Sequence, residues 1–127
     1  MKTIVVGYNE AEASKRALDR AAELARAFGS RVIVTSVTPV LVGSQPLEQP
    51  GPDLRAAGAH AAELGLEAEL VEAVGDPSEA ICEVAEMHGA DVIVVGTREP
   101  SLVERSLGHS TSEKVQRRAH CDVLIVH

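Results

Sequence analysis

The segment ADVIVVG, residues 90–96, constrains the fold more than any other stretch of the chain. Past Asp91 it is apolar at successive positions, with no alternation between a dry face and a wet one. A strand of that pattern is covered on both sides, which is the situation of a central strand in a parallel sheet flanked by helices. TIVVGY (3–8) and RVIVTSV (31–37) share its β-branched character, and CDVLIV (121–126) supplies a fifth strand at the end of the chain. LEAELVEAV (66–74) differs: Leu66, Ala68 and Leu70 alternate with glutamates, the pattern of a half-exposed strand at an edge.

Helical segments separate these runs. Residues 11–28 place Ala17, Leu18, Ala21, Ala25 and Phe28 on one face, and Gly29 stops that helix. A second helix is predicted at 52–64 and a third at 77–88. The third has Asp76 as N-cap, Pro77 at its first position and Glu79 completing a capping-box variant. A fourth covers about 111–119, where Ser110 and Glu113 form an S-x-x-E box. Strands alternating with helices imply right-handed crossovers, so the expectation is one doubly wound α/β domain over residues 1–127, with a parallel sheet between two helical layers. Aromatics make up only 2% of the residues, so its core is built from Val, Ile, Leu and Ala. Residues 39–52, PVLVGSQPLEQPGP, hold four prolines and two glycines and are read as a surface loop.

A formal net charge of −7 repels phosphate backbones and anionic membrane surfaces, which argues against nucleic acid and membrane partners. Lys2 leads directly into a strand rather than a leader, and no apolar stretch reaches the length of a bilayer span, so a cytoplasmic protein is expected. Cys82 and Cys121 show no CxxC or Cys/His spacing and are read as reduced, buried thiols. His60, His88, His120 and His127 lie on separate elements without metal-ligand spacing, and no metal is expected.

In open parallel sheets a ligand binds beyond the carboxyl ends of the strands, where the winding reverses. Those ends are Gly7-Tyr8-Asn9, Val37-Thr38, Gly75-Asp76 and Gly96-Thr97-Arg98. If the first and fourth strands are neighbours, the loops at 7–11 and 96–110 face each other across a crevice.

IVVGYNEAEASKRALDRAAELA, VGDPSEAICEVAEMHGADVIVVGTR and SEKVQRRAHCDVLIV, in this order and spacing, closely resemble the universal stress protein family over nearly the whole chain. The resemblance implies a five-stranded parallel sheet in the order 3-2-1-4-5 and a homodimer paired through the last strand, residues 121–127. It also implies one of two states, since some members bind ATP or a related adenine nucleotide and others have lost that ability. Binding members carry Asp-Gly-Ser after the first strand and a loop of form G-x2-G-x9-G-[ST] after the fourth. On this chain the first motif falls on Asn9, Glu10 and Ala11. The loop glycines fall on Gly96, Glu99 and His109, and the hydroxyl on Ser110.

These departures have physical consequences. Glycines line phosphate loops because the backbone must approach the anion closely, and side chains at 99 and 109 obstruct that approach. An ionised Glu99 held about 4 Å from a phosphate charge costs several kcal/mol at an effective dielectric near 20. Asn9 keeps an amide oxygen that can accept a hydrogen bond but brings no charge to support a metal. The candidate contacts for an adenine nucleotide are Tyr8, Asn9, Val37, Gly96, Thr97, Arg98, His109, Ser110 and Thr111. Each has a plain structural alternative: Ser110 and Thr111 suffice as helix caps, Arg98 can pair with Glu99 or Glu104, His109 is a solvated loop histidine, and Tyr8 covers the sheet beside Asn9.

Three functions follow in order. The first is a non-catalytic, dimeric stress-response module with a degraded nucleotide loop and no certain cofactor. The second is a sensor that binds ATP, AMP or cyclic AMP through a modified loop. An enzyme ranks third, because the crevice residues contain no nucleophile beside a base.

Overall fold

The computed structural model describes residues 1–9, 12–38, 51–97 and 111–127. Its elements run β1 (Thr3–Gly7), α1 (Glu12–Phe28), β2 (Arg31–Thr38), α2 (Pro52–Glu63), β3 (Ala68–Val74), α3 (Pro77–His88), β4 (Val92–Gly96), α4 (Thr111–Arg118) and β5 (Asp122–Val126). The five strands form one parallel sheet in the order β3-β2-β1-β4-β5, as the family resemblance implied. The edge position read for the third strand is where β3 lies, and β5 forms the opposite edge.

Continuous apolar runs in β1, β2 and β4 serve two cores at once. Ile4, Val6, Val32, Val34, Val92 and Val94 face α1 and α2, meeting Leu18, Ala21 and Leu54. Their neighbours Val5, Ile33, Ile93 and Val95 face α3 and α4, meeting Ile81, Val84 and Val115. Ile4, Val5, Ile33 and Ile93 are fully buried, which accounts for the missing polar alternation.

Three helices end in the same way. Gly29, Gly65 and Gly89 all adopt left-handed backbone (φ 64°, 70° and 63°) just past α1, α2 and α3. The next residue then donates back over the last turn: Ser30 N–H to Ala25 O at 3.0 Å, Leu66 N–H to Ala61 O at 2.9 Å, and Ala90 N–H to Ala85 O at 2.9 Å. These are Schellman turns, and each sends the chain into the strand that follows. The start of α3 is capped as read, with the Asp76 carboxylate accepting from Glu79 N–H at 3.1 Å and from the Ser78 hydroxyl at 2.6 Å. The start of α2 is held by another element, for the Glu72 carboxylate of β3 accepts from Gly51 N–H at 2.9 Å.

Two expectations change. Phe28, placed on the buried face of α1, is 59% exposed; it is the last residue of the helix, where the turn at Gly29 and Ser30 carries the chain away to β2. Both cysteines are free, but only Cys82 is buried, while Cys121 is half-buried because it precedes edge strand β5. The predicted Ser110 cap and the proline-rich residues 39–50 lie outside the described residues.

Candidate functional site

The reversal of winding falls between β1 and β4. Gly7 of β1 pairs with Val95 of β4 on one side and with Thr35 of β2 on the other, so the exits of these three strands lie at one level. Tyr8 continues the pairing by one step, its N–H donating to Thr35 O at 2.9 Å. Thr97 N–H likewise donates to Val126 O at 2.8 Å, tying the exit of β4 to β5.

At the floor of the crevice β1, β4 and α1 converge on Ser14. This serine lies in the first turn of α1 and is 4% exposed. Its hydroxyl accepts from Asn9 N–H at 3.2 Å and donates to Asn9 Oδ1 at 2.9 Å. The side-chain oxygen of Asn9 is thereby bound to the helix. Gly96 touches the same turn from the other side: a Cβ at this position would stand 2.5 Å from Ala13 O and 2.7 Å from Ser14 N, both rigid backbone. Gly96 therefore has a packing requirement independent of any phosphate, because only a bare Cα lets β4 end against the start of α1.

Six of the nine predicted contacts lie among the described residues, and they differ in exposure. Asn9 is exposed, and Thr111 is exposed at the first position of α4. Thr97 is half-buried, as is Val37, which packs against the core beneath α3 and α4. Tyr8 is 5% exposed and belongs to the core beneath α1 and α2 with Ile4, Val6 and Val34, so its ring is largely enclosed by the protein. Arg98, His109 and Ser110 lie outside the described residues, together with Glu10, Ala11 and Glu99.

Ser14 was not singled out by sequence, because its partner Asn9 lies five residues earlier, beyond the short spacings by which local side-chain caps are recognised. Ser112, also in a first helical turn, is 5% exposed and turned inward. Among the described residues no group of three or more His, Cys, Asp or Glu could hold a metal ion. The charged pair at the mouth of α1, Lys15 Nζ to Glu12 Oε1 at 3.1 Å, is exposed on both sides and contributes little. Among the described residues the crevice therefore offers polar groups at Asn9, Thr97 and Thr111, with the charged pair Lys15–Glu12 at the mouth of α1.

Comparison with known proteins agrees with this architecture. A universal stress protein of Mycobacterium tuberculosis is 31% identical over 142 residues, which cover 99% of this chain and 96% of that protein. One from Methanocaldococcus jannaschii is 32% identical over 138 residues, covering 98% of this chain and 81% of its own length. A crystal structure of a universal stress protein in complex with cAMP superposes with a TM-score of 0.84 at 31% identity, covering 99% of this chain and 97% of that one. The universal stress protein of Archaeoglobus fulgidus in complex with dAMP gives 0.76 at 25% identity, over 100% and 98% of the two chains. Among the described residues no helix is long and apolar enough to cross a membrane. Since the family pattern also matches residues 1–127 without interruption, this chain belongs to the universal stress protein family.

Proposed function

We propose that this chain is a non-catalytic, cytoplasmic stress-response module whose adenine-nucleotide site has been dismantled, and which acts as a homodimer through contacts with other proteins. The observation that carries this reading is the Asn9–Ser14 pair. Where binding members hold a carboxylate toward the ligand, this chain has an uncharged amide whose oxygen is bound to α1 at 2.9 Å. The sequence reinforces it, with Glu10, Glu99 and His109 standing where glycines would let a nucleotide approach. Dimerisation through residues 121–127 is supported by the position of β5: it is an edge strand, its Val123, Leu124, Ile125 and Val126 are only half-buried within one chain, and open apolar edges are normally paired.

A second reading, an adenine-nucleotide sensor with a rewritten loop, is supported by two comparisons: the structure in complex with cAMP is that of a protein 31% identical to this one, and the structure in complex with dAMP is that of one 25% identical. Thermal denaturation with millimolar ATP, ADP, AMP or cyclic AMP, with and without Mg²⁺, separates the two. The native chain is expected to melt at an unchanged temperature, while an Asn9→Asp, Glu99→Gly, His109→Gly variant gains stability with at least one nucleotide. A ligand at 100 times its Kd stabilises by about 2.7 kcal/mol, an effect readily seen on melting. Stabilisation of the native chain would replace the first reading with the second.

A further inference from the structure

On the opposite side of the sheet from Ser14's helix, the two cysteines border one pocket. They are 39 positions apart in the chain (121 − 82), yet Cys82 of α3 and Cys121 before β5 line one cavity of about 90 Å³, with Ala85, Ile93 and Ala119 completing its walls. Both are free thiols. Cys82 is buried, its Sγ–H directed at Val115 O at 3.9 Å, whereas Cys121 is half-buried and reachable from outside. A cavity of this volume admits a molecule of water or peroxide beside the sulfurs and leaves them room to move together. Cys121 stands one residue ahead of the β4–β5 register, which begins at Val92–Asp122.

From this arrangement we infer that Cys82 and Cys121 form a two-electron redox site, in which a hydroperoxide converts the reduced pair to an intramolecular disulfide joining α3 to the base of β5. Cys121 reacts first, being the more exposed thiol within one chain, and the cavity, bordered by Glu86 and Gly89 of the α3 end, gives the peroxide a route that does not cross the β5 edge. Its sulfur, as thiolate, attacks the peroxide O–O bond and becomes a sulfenic acid, releasing an alcohol, or water when the oxidant is hydrogen peroxide. Cys82 then attacks that sulfur, gives up its proton, and a water molecule leaves as the S–S bond forms. Two thiols and one hydroperoxide thus yield one disulfide, one alcohol and one water.

The surroundings set a slow pace. Burial raises the pKa of Cys82, aided by the neighbouring Cys121 and Glu86 and opposed by Arg118. Burial likewise raises that of Cys121, aided by Asp122 and Asp91. Both thiols are therefore mostly protonated near neutral pH, so the reaction proceeds at sustained oxidant and quickens toward alkaline pH. His120, at the cavity rim, is paired with Glu86 at 2.9 Å and 80% exposed.

The test uses the full chain, reduced, freed of reductant and treated with hydrogen peroxide. Intact mass is expected to fall by two hydrogens, thiol titration to drop from two to none, and non-reducing electrophoresis to show a monomer that dithiothreitol returns to the reduced mass. Cys82→Ser is expected to stop at a dimedone-trappable sulfenic acid on Cys121, and Cys82→Ala serves if the serine variant does not fold. Oxygen addition at Cys121 with Cys82 still titratable would overturn the inference. So would disulfide-linked dimers alone, or two unreacted thiols.

Discussion

The two ends of the sheet are built on different rules. Where helices lead into β2, β3 and β4, the chain uses one device three times, a left-handed glycine followed by a donor that closes the last turn. The same end is fastened by Asp91, whose carboxylate accepts from Lys2 N–H at 2.7 Å and Thr3 N–H at 2.9 Å, and by a two-pronged Arg31–Glu69 pair at 2.9 and 2.7 Å. Where strands lead into helices, each connection differs. Asn9 holds Ser14, Glu72 holds Gly51, Asp76 caps α3, and Gly96 is pressed against Ala13. One end repeats because its only task is to return the chain to the sheet; the other varies because each exit is fixed by a different neighbour, and in open parallel sheets that is the end that meets ligands.

The strongest way to break this comparison is Gly96→Ala. A methyl group would meet the Ala13 and Ser14 backbone rather than a side chain that can turn aside, so a loss of roughly 3 kcal/mol or more is expected in chemical denaturation. The parallel substitution Gly7→Ala meets the tip of Ile81 at 2.8 Å, a flexible side chain, and should cost much less. If both cost under 1 kcal/mol, Gly96 is not set by packing and the phosphate-loop explanation of that glycine regains weight.

Gly89→Ala ranks next. Nothing lies within 4 Å of a Cβ at this position, so the expected loss of about 1–2 kcal/mol comes from left-handed backbone alone. Gly29→Ala and Gly65→Ala should behave alike, since their φ angles and surroundings match. Unequal losses, measured by the same denaturation, would show that the three turns are not equivalent despite their geometry. Ser14→Ala follows at about 1 kcal/mol, the net contribution of its bonds to Asn9, because water can replace the serine at the exposed asparagine. A larger loss would mean that the crevice floor is stiffer than these two bonds account for.

The buried central strand β4 and the edge position of β3 were legible in the residues themselves because burial leaves a direct trace, whereas the order of the whole sheet followed from the family resemblance. Val92 to Val95 are apolar in succession since both faces are covered, while in β3 Glu69 and Leu70 are exposed at the edge. The cap at Asp76 was legible for a similar reason, its partner Glu79 lying three residues away. The ties that shape the crevice were harder to read. Gly51 and Glu72 are 21 residues apart and Gly96 meets Ala13 across the chain, so nothing local announces either contact. Cys82 and Cys121 illustrate the same limit, since their spacing matches no motif and the cavity they share exists only once α3 has packed beside α4.

The smallest expected effect compares the two ends under acid. Asp91, at the repeated end, has its pKa lowered by the backbone N–H groups of Thr3 and Lys2, while Asp76, at the varied end, has its pKa lowered by the Ser78 hydroxyl and then by Glu79 N–H. A carboxylate whose pKa is depressed in the folded state stabilises fully above its unfolded pKa of about 3.9, and that contribution is lost as pH falls through the lower, folded value. Both ends should therefore weaken below about pH 4. Asp91→Asn keeps an acceptor for Lys2 and Thr3 but removes the titration, so urea midpoints measured from neutral to acid pH should fall less steeply than in the native chain. Asp76→Asn should flatten the same slope while retaining most of the cap, because asparagine is also a good N-cap residue. If neither variant changes the acid slope, the carboxylates at the two ends are not what couples this fold to pH, and the groups responsible must lie elsewhere on the surface.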